Sequence, residues 1–389
     1  MDYSQLAFPA YRFILPEVLA DDWLATVGWH KLNRDHVLHQ PLTAYVVLKL
    51  LTGGEHADPP FMVDDKTSLL DACVDEILKW QGTAYLRESL FHIGIREGDP
   101  WLENSPVGRA LWRCLFVEAA YLAAIFHDMG YPWQYVNLLS NKLEHAGLQP
   151  DSPGAGAEQL LEAFGDRLLF CPLNGYRVLN RTVPATWGQQ LAATTAKALR
   201  KTHGLPGAIG FLYLNDILRD YPVDDTHPIR QFCVEWAAMA ILMHDMPKIY
   251  WGDGTTLPSN GHMRLKFSVD PLSCVVALAD VVEDFARPVA RFQDLEDVAP
   301  PAARPRDAKE AVALTYRDSC DTTVLTLHHA SSPAVLTIDY RFSQEDQCAV
   351  KRHWIPKEHR DYFDRQHGYL DLSGMGVDRV DMLASRAAV

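Results

Sequence analysis

The chain lacks paired cysteines and long hydrophobic runs. Its seven cysteines are scattered over 389 residues without a CxxC pair, which disfavours a structural thiolate zinc site and suits a protein whose thiols stay reduced. No stretch reaches the roughly 18 uninterrupted apolar residues of a membrane helix. The N-terminus has no basic segment followed by a long apolar run. We therefore expect a soluble, cytoplasmic protein without a membrane partner.

Basic residues are also scarce. The 36 lysines and arginines face 50 acidic residues, for a formal net charge of -14. This balance argues against binding to extended nucleic acid, which needs a basic surface to displace counterions. A local basic pocket for a small phosphate remains compatible with it. With 48% hydrophobic residues, the chain can bury at least one large core.

Helical spacing of apolar residues dominates from about residue 40 to 290 and predicts a mainly α fold, a helical bundle. Stretches rich in Gly, Pro and Asp at 52–65, 145–156 and 251–262 are predicted to be loops. The expected helices cover residues 42–52, 66–80, 108–127, 156–169, 188–201, 206–219, 229–245 and 271–285.

The pattern changes after residue 298, where a Pro/Ala-rich connector begins. Alternating β-branched segments at 312–316, 322–327 and 334–340 predict a small antiparallel sheet. One or two short helices are expected within 345–366. We therefore predict a helical domain over 1–300 and a small α+β segment over 301–389, which would serve as a lid or an oligomerisation element.

A histidine and an aspartate, His127 and Asp128, follow the apolar run LFVEAAYLAAIF. A buried ionised carboxylate is unfavourable unless it is paired or coordinated, and a divalent cation would turn both neighbours into ligands. Other apolar helical segments also carry single polar groups, namely His203, His244 and Asp280. Each alone is more often a helix cap or a satisfied core residue. Together, however, they indicate one shared site of imidazoles and carboxylates, suited to Mn, Fe, Zn, Mg, Ni or Co.

The order of these motifs resembles the HD-domain metalloprotein superfamily. The similar stretches are RDHVLH at 34–39, IFHDMGYP at 125–132, THG at 202–204, AILMHD at 240–245 and LADVVEDFARP at 278–288. The resemblance implies an HD-type fold with two divalent ions, Asp128 bridging them. The first ion would be held by His39, His127, Asp128 and Asp280, and the second by His203, His244 and Asp128.

The first ligand has three candidates. His39 is preferred because it leads directly into a predicted helix, but His36 lies in the same RDHVLH stretch, and His92 is closer to His127 in sequence. An insertion at about 53–105 would account for the longer spacing from His39.

The sequence gives weaker signals for residues that would bind a phosphate. In the cyclic-dinucleotide-cleaving HD subgroup a lysine follows the His-Asp-x-Gly motif, whereas here Tyr131 follows Gly130. Lys248 and Arg34 are candidates for a catalytic phosphate contact beside Asp128, and Arg287 is comparable. Surface positions or salt bridges are the alternative for all three.

The resemblance favours hydrolysis of a nucleotide or another small phosphoester by water activated between two metal ions. Two other functions use the same residues, a di-iron oxygenase and a non-catalytic ligand-sensing scaffold. Trp133, Trp236 and Trp251 lie near the motifs, where they would stack on a base or, more commonly, pack in the core.

Overall fold

The computed structural model describes ten stretches of the chain. They are residues 36–53, 59–80, 83–130, 167–168, 203–219, 229–245, 264–283, 321–328, 333–365 and 368–387. Eight α-helices lie in them, numbered here in chain order: α1 His36–Thr52, α2 Leu69–Leu78, α3 Ala84–His92, α4 Pro106–Phe126, α5 Gly204–Arg219, α6 Ile229–His244, α7 Pro271–Val282 and α8 Glu345–Tyr362. The five strands are β1 Leu265–Lys266, β2 Thr322–His328, β3 Val335–Phe342, β4 Leu370–Asp371 and β5 Arg379–Arg386.

Helix α4 lies at the centre of the helical core. Its first turn is stabilised by Ser105, whose hydroxyl accepts the N–H of Gly108 at 3.1 Å, and by Pro106 at the first helical position. Twelve of its 21 residues are buried. It packs against α1, α2, α6 and α7, while α5 packs on α6. The C-terminal end of α4 is therefore surrounded by other helices.

Aromatic packing in this core shows which of the two roles considered for Trp236 applies. Trp236 on α6 has no exposed surface. Its ring meets those of Trp80 and Phe116 edge to face, with centroids 6.3 and 5.5 Å away. Trp236 is thus a core residue and does not offer its face to a base. The apolar alternative considered for it is confirmed.

Helix α7 is buried along most of its length. Asp270 caps its N-terminus by accepting the N–H of Ser273 at 3.1 Å, and Pro271 occupies the first turn. Ten of its 12 residues are buried. The helix ends at Val282 because Glu283 takes an extended backbone conformation, with φ -75° and ψ 110°. It packs against α1, α4 and α6.

The C-terminal sheet is mixed, so the prediction of an antiparallel sheet was only partly right. Strands β2 and β3 pair antiparallel, but β3 and β5 pair parallel, giving the order β2-β3-β5. A parallel pair needs a crossover connection, and α8 supplies it. The sequence pattern showed alternation but not strand direction. The single 18-residue helix α8 replaces the one or two short helices expected there.

The two segments predicted as separate domains are joined in two ways. Strand β1, from the helical part, pairs in parallel with β4 from the C-terminal part. In addition, the Tyr340 hydroxyl donates to the Val281 carbonyl at 2.8 Å, and the Thr323 hydroxyl donates to the Val282 carbonyl at 3.1 Å. These are carbonyls of the last turn of α7, which the helix itself leaves unbonded. The sheet therefore fixes the C-terminal end of α7.

Most of the predicted helices within the described residues are confirmed, with ends shifted by a few residues. Helices α2 and α3 lie within the proposed insertion at 53–105. Among the described helices, none combines the length and hydropathy needed to cross a membrane. The predicted elements at 156–166, 188–201 and 312–316, and the loops at 145–156 and 251–262, lie outside the described residues.

Candidate metal centre

Five helices bring the six predicted metal ligands to one place. His39 lies in the first turn of α1, and His127 and Asp128 follow the last residue of α4. The other three stand at helix ends: His203 directly precedes α5, His244 closes α6, and Asp280 lies in the last turn of α7. Five of the six are buried, with exposures of 5% or less. The side chain of Asp280 is 18% exposed and forms the most open edge of the cluster.

The first group of ligands consists of His39, His127 and Asp280. The Nε2 atoms of the two imidazoles lie 3.0 Å apart. Asp280 Oδ1 is 3.1 Å from Nε2 of His39 and 3.6 Å from Nε2 of His127. These three side chains can hold a metal ion.

The second group consists of His203 and His244. Their Nε2 atoms are also 3.0 Å apart. Oδ1 of Asp128 lies 3.0 Å from Nε2 of His203 and 3.9 Å from Nε2 of His244. Together with His127, the residues Asp128 and His244 form another set that can hold an ion.

Asp128 lies between the two groups. Its Oδ2 atom is 3.4 Å from Nε2 of His39, and its Oδ1 atom is 3.4 Å from Nε2 of His127. The same Oδ1 atom faces His203. One carboxylate therefore contacts imidazoles of both groups, which is the placement that a bridging ligand requires.

The separations fit ligands that share an ion. Metal–nitrogen and metal–oxygen bonds of about 2.0–2.2 Å place neighbouring ligand atoms about 3.0–3.5 Å apart. The hydrogen bonds at the far ring nitrogens agree with this, because Nδ1 of His127 donates to the Ala124 carbonyl at 2.7 Å and Nδ1 of His244 donates to the Ile241 carbonyl at 2.5 Å. In a neutral ring, Nε2 then carries a lone pair aimed into the cluster. These Nε2 atoms of His127 and His244 lie 3.0 Å from Nε2 of His39 and of His203, respectively. Two nitrogen lone pairs at that distance repel each other unless a proton or a cation lies between them.

The pKa of His127 reflects the negative charge of the carboxylates around it. Burial is the largest influence and disfavours the imidazolium, but Asp128, Asp280 and the hydrogen bond to the Ala124 carbonyl together outweigh it, so the pKa of His127 is raised above its usual 6.5. The carboxylates thus favour positive charge at this position in spite of burial. A divalent cation is one way to supply that charge.

The pKa of His244 shows the opposite behaviour. Burial, together with the neighbouring His203 and His127, lowers the pKa of His244 to about 4. His244 is therefore neutral at physiological pH. A neutral imidazole is the form that binds a metal, so no proton has to be displaced there.

Two buried carboxylates beside the ligands were missed by the sequence analysis. Glu283 Oε2 contacts Nδ1 of His39, and Asp245 Oδ2 lies 3.0 Å from Nδ1 of His203. A signal for each existed. Asp245 follows His244 just as Asp128 follows a histidine, and Glu283 stands three residues after Asp280, close to the same helix face.

A glycine allows the second group to assemble. A Cβ atom at Gly130 would lie 1.9 Å from the carbonyl oxygen of His203 and 2.6 Å from the backbone nitrogen of Gly207. The segment after Asp128 can therefore approach the start of α5 only because residue 130 has no side chain. This close approach brings His203 to Asp128.

The structure separates the candidates for the first ligand. His39 lies in the cluster, whereas His92 is exposed at the end of α3. The structure thus brings His39, and not His92, beside His127 and Asp280. The side chain of His36 lies outside the described part of the structure. Other candidates also fall outside it, namely Arg34, Lys248, Arg287, Trp133 and Trp251.

Comparison of the chain with protein-family models, curated proteins and solved structures finds no match. The chemistry of this centre therefore has to be inferred from its own residues and their geometry.

Proposed function

We propose that the protein is a metal-dependent phosphohydrolase that acts on a nucleotide or another small phosphoester, with an HD-type helical core and two divalent ions. The observation that carries this proposal is the position of Asp128, which contacts imidazoles of both ligand groups. A site for one ion has no need of such a residue between two imidazole pairs. Two ions held by one carboxylate are typical of centres that hydrolyse phosphoesters.

The donor set supports the assignment of the ligands. His39, His127 and Asp280 would hold the first ion, and His203 and His244 the second, with Asp128 shared. Four carboxylates lie in or beside the cluster: Asp128, Asp245, Asp280 and Glu283. Their four negative charges would be balanced by two divalent cations. Burial of so many carboxylates without cations would be strongly unfavourable.

The residues of the centre would have different roles in hydrolysis. Bound divalent ions supply Lewis-acid polarisation of a phosphoryl oxygen and acidify a water molecule. Asp128 would fix the spacing of the two positions. The imidazoles would exclude other water from the buried side, because they have exposures of 5% or less. Asp280, with its partly exposed side chain, marks the side from which a substrate would enter.

The charge of the chain supports a small substrate. A net charge of -14 disfavours binding along a polyanion, since each phosphate contact of a nucleic acid requires basic residues. A mononucleotide or phosphorylated metabolite would instead be bound mainly through its phosphate at the metal centre. Lys248 and Arg34 remain predicted phosphate contacts.

The test is release of product from a panel of nucleotides and phosphoesters with Mn, Co, Ni or Mg. The wild-type protein should release phosphate or nucleoside, and His127→Ala and Asp128→Ala should abolish release. His92→Ala is the matched control, because this histidine is exposed and belongs to neither ligand group. The activity of this variant should equal that of the wild type. Activity that persists in the two ligand variants would overturn the proposal.

The same assay separates the two other functions. A di-iron oxygenase would contain iron and consume oxygen with a substrate while releasing no phosphate. A ligand-sensing scaffold would bind a nucleotide without turnover under every metal. Either result would replace hydrolysis as the function of the centre.

A further inference from the structure

The four imidazoles of the centre differ in what holds their outer nitrogen. His127 and His244 each donate from Nδ1 to a backbone carbonyl three residues earlier. His39 and His203 instead meet a carboxylate at Nδ1, that of Glu283 and that of Asp245 respectively. Each ligand group therefore contains one imidazole of each kind.

The two kinds of partner have different effects on a metal ligand. A carbonyl selects the tautomer and orients the ring. A carboxylate does the same and also makes the ring a stronger base, which strengthens its bond to a metal. Glu283 and Asp245 lie outside both ligand groups and are placed to strengthen the metal bonds of His39 and His203 in this way.

Both carboxylates are placed where their charge is felt strongly. Glu283 is 1% exposed and Asp245 is 2% exposed, so water screens neither of them well. Glu283 is held at the end of α7, three residues beyond Asp280. A shift of this chain end would move a ligand of the first ion and the partner of His39 together.

Asp245 has an additional structural contact. Its Oδ2 atom accepts the backbone N–H of His203 at 2.8 Å and that of Gly204 at 3.3 Å. Asp245 thus fixes the main chain at the start of α5 by hydrogen bonds and places its carboxylate charge 3.0 Å from Nδ1 of His203. Loss of this side chain would affect folding as well as metal binding, and a useful experiment has to separate the two effects.

We infer that Glu283 and Asp245 are positioning residues, each of which strengthens one of the two metal positions: Glu283 the first, through His39, and Asp245 the second, through His203. This inference rests on the proposed two-metal function. It goes beyond that function because it assigns independent control of the two affinities to two residues that bind no metal themselves.

The experiment measures cobalt binding by calorimetry and by visible absorption in four proteins: the wild type, Glu283→Gln, Asp245→Asn and Glu76→Gln. Loss of such an outer partner typically weakens metal binding by about 10–100-fold. We expect this loss for one of the two ions in each of the first two variants. Glu76→Gln is the control, because Glu76 is a buried carboxylate on α2 that pairs with Lys79, and it should leave both affinities unchanged.

The affected ion is identified in two backgrounds. His203→Ala disables the second position, and there Glu283→Gln should weaken the remaining ion by the full factor, whereas Asp245→Asn should have little effect. His39→Ala disables the first position, and the pattern should reverse. Far-UV circular dichroism checks that each variant is folded, and Glu283→Asp, which keeps the charge, should recover part of the affinity. If Asp245→Asn fails to fold, the metal affinities of Glu283→Gln still test whether Glu283 strengthens the first position.

The outcomes distinguish this inference from the function on which it rests. A wild-type protein that binds no cobalt would contradict the proposed function itself. A wild-type protein that binds two ions, with unchanged affinities in Glu283→Gln, would contradict the inference and leave the function standing. Equal weakening of both ions in both backgrounds would also contradict it, because the two carboxylates would then act through the general stability of the fold.

Discussion

The two ligand groups contain similar residues but are built differently. The second group joins His203 and His244, which are 41 residues apart and come from α5 and α6, two helices that pack on each other. The first group joins His39 to His127 across 88 residues and to Asp280 across 241. It therefore requires three helices to be correctly placed at once.

This difference indicates which group is more sensitive to distant changes. The last turn of α7, which carries Asp280, is held by hydroxyls of Tyr340 and Thr323 from the C-terminal sheet. The second group depends instead on the local contact between Gly130 and the start of α5. The first position should therefore respond to changes in the sheet, and the second to changes around Gly130.

The largest effect is expected where the two groups meet. Asp128→Ala should remove both ions and lower activity by about 10³-fold or more, because metal catalysis contributes several kcal/mol and each 1.36 kcal/mol is a factor of ten. The measurements are metal content and turnover. His203→Ala serves as the comparison and should retain the first ion. If Asp128→Ala kept one tightly bound ion, Asp128 would not be shared.

The next effect should be confined to the second group. Gly130→Ala would force a Cβ atom against the His203 carbonyl, and we expect a loss of about 3 kcal/mol or more in the free energy of unfolding, with weaker binding of the second ion. Denaturant unfolding and cobalt titration measure the two changes. The control is Gly210→Ala in α5, whose Cβ would meet only the flexible side chain of Met129, at 3.2 Å. Equal behaviour of the two variants would contradict the close approach.

A third change tests the start of α7 separately from its end. Burial raises the pKa of Asp270 to about 6 from its usual 3.8, against the hydrogen bonds from Ser273. The folded state then holds more protons than the unfolded state between about pH 4 and 6, so this residue lowers stability as the pH rises through that window. Asp270→Asn keeps the helix cap and should stabilise the protein by about 2–3 kcal/mol above pH 6.

This gain should disappear below about pH 4, where Asp270 is protonated in both states. Thermal unfolding of both proteins from about pH 3 to 8 measures it. Metal affinity should stay unchanged, because the end of α7 is not altered. A constant difference at all pH values would show that burial does not perturb this carboxyl.

The smallest effect concerns the contact between the sheet and the first group. Tyr340→Phe removes the hydroxyl that binds the Val281 carbonyl and should cost about 1 kcal/mol of stability. It should also weaken the first ion more than the second, as judged by cobalt titration. Tyr213→Phe on α5, where the residue is 52% exposed, is the control and should change neither quantity. Equal weakening of both ions in Tyr340→Phe would break the proposed difference between the groups.

Much of the centre could be predicted from the sequence because its residues interrupt apolar patterns. A histidine or aspartate within an otherwise apolar helical segment is easily recognised in the sequence, as at His244 and Asp280. The outer carboxylates are harder to find, because Glu283 follows the end of the helix in a charged stretch and looks like a surface residue. The three-residue spacing from Asp280 places Glu283 near the same helix face, but it does not reveal the contact with His39, which is 244 residues away.

The positions of the main helices could also be predicted from the sequence, whereas the pairing of the strands could not. Apolar spacing identified α4, α6 and α7, whose buried residues lie on most sides. Strand direction in the C-terminal sheet was not predictable, since alternation is the same in parallel and antiparallel strands. The parallel pairing of β3 with β5 follows from the crossover through α8, a tertiary feature.

The central claim is that one shared aspartate holds two ions in one cluster. Metal analysis of the natively purified protein, combined with anomalous diffraction at the edge of the metal found, tests it most directly. We predict two ions per chain, one bound by His39, His127 and Asp280 and the other by His203 and His244, with Asp128 bound to both. A single ion that leaves His203 and His244 without metal contact, or no ion at all, would contradict it.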